Sequence, residues 1–178
     1  NANAAGDKVV AGNTVYIRGA GSDSPSAADY TGTGFYTPAS GDVTDGAITI
    51  TGYNGRPRIS WDGLMWYLCV FLRIEQMYFT VTGATFAAEG ILRFSNNCML
   101  RNCVVFTNNQ TAMVGVQAAD NSQIIDCELF AHASAPTSSA GAYLIMATGS
   151  CTIMGCYIHH GGDVGIYENN TSGQVRII

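Results

Sequence analysis

The chain has 178 residues, 47% of them hydrophobic and 12% charged, and carries a net charge of −5. This length suits one domain with a sizeable core, and eight Lys plus Arg against thirteen Asp plus Glu offer no attraction to nucleic acid or an anionic membrane. The longest apolar run, LMWYLCVFL at 64–72, is far short of the ~20 residues that span a bilayer, so it reads as core and membrane insertion is not expected.

Because the charged fraction is about half the usual ~25%, solubility falls to Gly, Ser, Thr and Asn, a composition of short strands joined by polar turns. In chain order, the first strand expected is within GNTVYIRG at 12–19. A Gly/Ser/Thr-rich stretch at about 19–46 follows and reads as a surface excursion from a single domain spanning 1–178. Alternation resumes in GAITITGYNGRPRIS at 46–60, where Asn54-Gly55 is a hairpin signal.

The next segment holds one candidate site. Arg56, Arg58, Trp61, Asp62 and Trp66 combine aromatic platforms with Arg and Asp, a set suited to sugar rings through stacking and hydrogen bonding. An ordinary loop around Pro57, with the tryptophans in the core, is the structural alternative.

From residue 79 onward one phrase recurs. In register, it runs Phe79–Phe86, Cys98–Val105, Ser122–Leu129 and Cys151–Ile158. The third slot then holds Val81, Leu100, Ile124 and Ile153, and the eighth holds Phe86, Val105, Leu129 and Ile158. The fifth slot holds Gly83, Asn102, Asp126 and Gly155, types that tolerate a left-handed backbone. The sixth holds Ala84, Cys103, Cys127 and Cys156. Apolar positions spaced by two on either side of a tight residue indicate strands with a corner. A second strand precedes each phrase, with Leu92, Val116 and Ile145 six residues before the first slot. The fifth-slot spacings, 102 − 83 = 19, 126 − 102 = 24 and 155 − 126 = 29, suit constant strands joined by turns of different length.

These facts predict an all-β chain wound as a parallel β-helix, a solenoid whose columns point into one interior, with a β-sandwich as the alternative. Stacked cysteines pointing the same way meet disulfide geometry poorly, so Cys103, Cys127 and Cys156 are expected as buried free thiols acting as small hydrophobes. Zinc-type Cys or His spacing is absent from the sequence, and neither metal nor cofactor is expected.

The phrase h-x-h-x-[Asn/Asp/Gly]-Cys-x-h, with the opening GNTVYIRG and GAITITGYNGRPRIS, resembles right-handed parallel β-helix proteins of the pectate-lyase-like superfamily over about residues 12–178. The resemblance implies a right-handed solenoid, here an incomplete stack of about five to six coils. For activity it implies lyases, glycoside hydrolases or epimerases, phage tailspikes, or non-catalytic surface proteins. A lyase would need clustered carboxylates, often around Ca²⁺, with an Arg or Lys base, and a hydrolase paired acids. In the predicted columns each acid is alone: Asp126 beside Gly83, Asn102 and Gly155, Glu128 beside Thr85, Val104 and Tyr157.

The densest polar group is HHGGDVGIYE, giving His159, His160, Asp163 and Glu168 as candidate catalytic residues, a His base with an acidic partner. The structural alternative puts His159 in an aromatic column with Ala87, Phe106 and Phe130, and a turn at Gly161-Gly162-Asp163. GQVRII at 173–178 reads as a further strand, and its open edge is expected to be covered by a longer parent chain or a homo-oligomer such as a trimer. The expectation is therefore a non-catalytic structural or adhesive β-helix, part of a phage virion or tailspike-like protein or of a cell-surface protein, extracellular or on the virion surface, contacting polysaccharide or glycan. The alternative is a polysaccharide lyase, glycoside hydrolase or epimerase.

Overall fold

A computed structural model describes residues 9–19, 30–33, 40–62, 65–81, 92–107, 114–131, 143–160, 164–169 and 173–178, and every regular element among them is a β-strand. In chain order they are β1 (Thr14–Arg18), β2 (Tyr30–Thr33), β3 (Ile48–Tyr53), β4 (Arg58–Asp62), β5 (Met65–Cys69) and β6 (Leu72–Glu75). β7 (Tyr78–Val81), β8 (Leu92–Phe94), β9 (Met99–Arg101), β10 (Val104–Thr107), β11 (Val114–Ala118) and β12 (Ser122–Ile125) follow. The last are β13 (Glu128–Ala131), β14 (Tyr143–Ala147), β15 (Cys151–Met154), β16 (Tyr157–His159), β17 (Val164–Glu168) and β18 (Val175–Ile177).

The strands form three parallel sheets: A, ordered β1-β3-β6-β9-β12-β15-β18; B, ordered β16-β13-β10-β7-β4-β2; and C, ordered β17-β14-β11-β8-β5. Each strand pairs with its counterpart one coil away, so the chain is a parallel β-solenoid, completing four turns between β5 and β17. Within the stretch 19–46, Tyr30–Thr33 return to sheet B beside β4.

Two corners make the winding work. Between sheets A and B, Gln76, Asn102, Asp126 and Gly155 all take a left-handed backbone, with φ of 56°, 51°, 52° and 62°. Their amides donate to the next coil, from Asn102 N to Ile125 O at 3.0 Å and from Asp126 N to Met154 O at 2.9 Å. Between sheets C and A, Phe71, Asn97 and Asn121 do the same with φ of 50°, 61° and 57°. Asn54-Gly55, also left-handed, turns the chain from β3 in sheet A to β4 in sheet B and makes no hairpin.

The interior consists of columns. Leu100, Ile124 and Ile153 are in register, as are Val105, Leu129 and Ile158, as the sequence phrase predicts. Its first line is displaced, however. Leu100 pairs with Ile74 and Val105 with Phe79, while Val81 pairs with Thr107. The counterpart of Cys98–Val105 is therefore Leu72–Phe79, with Gln76 at the bend and Met77 in the cysteine slot. Ala84 and Phe86 lie outside the described residues.

Cys103, Cys127 and Cys156 stack in file, because Glu128 N donates to Cys103 O and Tyr157 N to Cys127 O. None of the six cysteines is in a disulfide. The repeated cysteine does more than fill space. Each corner thiol lies near the carbonyl two residues back and one on the previous coil: Cys103 near Arg101 and Ile74, Cys127 near Ile125 and Leu100, Cys156 near Met154 and Ile124. A weak S–H donor is thus added to carbonyls of which three already accept a corner amide: Arg101 O from Gln76 N, Ile125 O from Asn102 N and Met154 O from Asp126 N.

The end of β3, leading into the corner, tolerates no side chain at Gly52, where a Cβ would strike the Gln76 carbonyl oxygen and the Pro57 ring. Gly52→Ala is expected to lower unfolding free energy in urea by about 2 kcal/mol, the usual cost of forcing backbone to shift in a packed site. A neutral result would show that this corner yields.

Candidate functional site

The outer face of sheet B brings several of the candidate residues together. Side chains alternate along each strand, so two columns face outward. One runs Arg58, Tyr78, Val104, Glu128, Tyr157, and the other Ser60, Thr80, Phe106, Phe130, His159. In the second column the ring centroids of Phe106 and Phe130 are 4.8 Å apart, and those of Phe130 and His159 are 5.0 Å apart at 7°. The aromatic column at His159 is therefore as predicted, except that Thr80 occupies the place given to Ala87.

His159 also has a partner that the columns do not reveal. Its Nε2 lies 3.1 Å from Glu128 Oε1, a diagonal contact across one coil. Its Nδ1 meets Nδ1 of His160, which takes a left-handed backbone just after β16. In neutral His159 the Glu128 carboxylate keeps the proton on Nε2, leaving Nδ1 to accept from His160 Nδ1–H. The Tyr157 ring lies 4.3 Å from His159, tilted by 31°.

At the other end of the same face, Arg56, Arg58, Tyr78, Val104 and Glu128 line a cavity of about 150 Å³. Val104 makes the hollow by placing a short side chain between Tyr78 and Glu128. Arg56 reaches over the corner and donates from Nη2 to Asn102 Oδ1 at 2.7 Å. Arg58 is buried beneath the cavity's rim. Burial and the Glu128 carboxylate push the Tyr78 hydroxyl up from its ordinary range, partly offset by Arg58, so it stays a hydrogen-bond donor.

Two groups that were separate in sequence, Arg56 with Arg58 and His159 with His160, thus share one face, joined by Glu128. Of the other expected sugar-binding members, two are on sheet B itself and one is on sheet C. Trp61 and Asp62 are on β4 in sheet B, and Trp66 is on β5 in sheet C. Glu168 is exposed on β17 of sheet C, in the register of the inward column Phe94, Ala118, Ala147, and its charge acts on Cys151. Glu128, and not Glu168, is therefore the acid on His159. Asp163 lies outside the described residues.

A His–Glu pair can pass a proton, whereas glycoside hydrolysis by the usual route sets two carboxyl groups across the bond. The cavity lining contains one, Glu128. Two guanidinium groups, a phenol and a carboxylate beside an aromatic stack are suited to holding a polyhydroxylated ring by donors, acceptor and face. Among the described residues, no group of three or more His, Cys, Asp or Glu is placed to hold a metal ion. No family model, curated protein or solved structure matches the chain.

Proposed function

We propose that this chain is a non-catalytic structural or adhesive β-helix domain, of the right-handed pectate-lyase-like kind, that contacts glycans through the outer face of sheet B. Right-handedness follows the general preference of parallel strand crossovers. The observation that carries the binding assignment is the continuity of that face: the stack Phe106–Phe130–His159 runs directly beside the cavity of Arg56, Arg58, Tyr78 and Glu128. A phage virion or tailspike-like protein, or a cell-surface protein, is the setting proposed from the sequence resemblance, with an extracellular or virion-surface location.

The edge that includes β18 exposes Ile177 and Ile178, a surface that a further coil or a second copy would cover. Light scattering that finds a stable, monodisperse monomer would remove the second copy from this reading.

One observation favours the enzymatic alternative, a polysaccharide lyase, hydrolase or epimerase: the His159–Glu128 pair. The two readings separate in one experiment. The protein is incubated with a panel of acidic and neutral polysaccharides, and both bound and unsaturated or shortened products are followed. Retention without product supports the adhesin, and Arg58→Ala with Phe130→Ala should weaken retention at least tenfold. Turnover abolished by His159→Ala, with folding unchanged, would establish the alternative.

A further inference from the structure

The file of corner thiols is a chemical group that the sheet B face does not use. Each sulfur takes the same place on its own coil. Cys103 Sγ lies 3.2 Å from Arg101 O and 3.7 Å from Ile74 O, and Cys127 Sγ 3.1 Å from Ile125 O and 3.6 Å from Leu100 O. Cys156 Sγ lies 3.4 Å from both Met154 O and Ile124 O. Like placement on stacked coils makes the sulfurs translations of one another, so neighbours stand about one rung, ~4.8 Å, apart. Cys103 and Cys127 are fully buried, whereas Cys156 is half-buried just before β16, the edge strand of sheet B.

That spacing has a chemical meaning. A metal–thiolate bond is ~2.3 Å long, so an ion midway between sulfurs ~4.8 Å apart is within bonding distance of both, at ~2.4 Å. A third sulfur cannot join them, because Cys103 and Cys156 are two rungs apart, ~9.6 Å. Nor do other groups complete a larger set: among the described residues no three His, Cys, Asp or Glu are placed to hold one ion. Zn(II), which asks for four ligands in a structural site, is therefore poorly served. Soft thiolate donors select Cu(I) and ions like it, and such monovalent d10 ions accept two sulfurs in line. Of the two gaps in the file, the one between Cys103 and Cys127 is enclosed, and the one between Cys127 and Cys156 is reached from the half-buried end.

We propose that Cys127 and Cys156 form a binding site for a soft monovalent d10 ion, Cu(I) or Ag(I), held in line between the two sulfurs at the corner of sheets A and B. Loading is an exchange without change of oxidation state. Both S–H bonds break, two metal–sulfur bonds form, and two protons leave to solvent. The pair then carries one net negative charge, at the end of the file where water reaches it. Contacts within the file, followed by burial, hold both thiol protons above the ordinary thiol range, so proton release on loading is complete at neutral pH. The site shares no residue with the glycan-contacting face of sheet B and stands whether or not that face binds sugar.

Silver nitrate titrated into the whole chain at pH 7 in chloride-free buffer tests it, with Zn(II) as the comparison. The first Ag(I) is expected to release two protons and to show two sulfur neighbours at about 2.4 Å by X-ray absorption. Zn(II) should bind at least a hundredfold more weakly. Cys156→Ser should lower the affinity for the first Ag(I) at least a hundredfold, because the second sulfur acts as a ligand already in place. Cys156 is half-buried at an edge, so this variant keeps the fold, which circular dichroism confirms. Cys127→Ala should have the same effect. Cys151→Ser should leave the affinity unchanged, since Ser122 already occupies the neighbouring rung of that column. A single sulfur neighbour, one proton released, equal binding of Zn(II), or an affinity indifferent to Cys156→Ser would each overturn the assignment, as would an equal loss in Cys151→Ser.

Discussion

Raising the pH from 8 to 11 is expected to unfold this protein well before its backbone is chemically harmed, with the decline in stability starting near pH 9. The cause is the buried thiols. Burial pushes Cys69 up to about 12 and Cys98 up to about 11, from an ordinary 9.0. Cys127 is pushed up to about 12, first by its hydrogen bond with Cys103, then by burial. Cys156 is driven up by its bond to Cys127 and Cys151 by burial. Each folded thiol thus holds its proton to a higher pH than the same thiol in the unfolded chain. The stability that this difference supplies is whole below pH 9, declines as the unfolded chain ionises first, and is lost as the pH passes through the folded values.

The slope is about 1.4 kcal/mol per pH unit for each such thiol. Cys69, Cys98 and Cys127 together reach roughly 4 kcal/mol per unit as an upper bound, a large share of the usual 5–15 kcal/mol. Urea unfolding at pH 8, 9, 10 and 11 measures it. Cys69→Ala with Cys98→Ala should flatten the profile even while lowering stability at pH 8. An unchanged urea midpoint between pH 8 and 11 would contradict the buried, protonated column.

The fold was legible wherever a column repeated a residue type. Asn102, Asp126 and Gly155 advertise the left-handed corner, and the cysteines after them fix the register of three coils. The coil before them disguises both signals. Gln76 takes the same left-handed backbone without belonging to the types that favour it, and Met77 replaces cysteine. Phe79–Phe86 then offers an apolar alternation that competes with the true line, Leu72–Phe79. That one displacement hid part of the site as well. It put Thr85 where Tyr78 belongs, and so Glu128 looked isolated when its column leads through Val104 to the Tyr78 cavity. The contact of Glu128 with His159 was hidden for a different reason. It runs diagonally, one coil on and two residues along, whereas columns report only straight neighbours. Searching diagonals for opposite-charge or His–acid pairs would have found it. The thiol hydrogen bonds left no trace in the sequence beyond the choice of cysteine over alanine.

Leu129→Ala should destabilise the protein far more than Ile158→Ala, although both remove an aliphatic side chain from one column. Leu129 is fully buried, between Val105 on one coil and Ile158 on the next. Its truncation leaves a cavity walled on both sides and is expected to cost about 3 kcal/mol, lowering the melting temperature by about 10 °C. Ile158 is partly buried on β16, the edge strand of sheet B, with Leu129 beside it on one side only. Part of its surface is already in water, so its loss should cost about half as much. In a solenoid each coil is supported mainly by its neighbours, so the ratio of the two effects measures how far support falls off toward that edge. Equal destabilisation of the two variants, read from urea midpoints at neutral pH, would mean that the β16 edge is covered in solution, and would favour the further coil or second copy proposed for it.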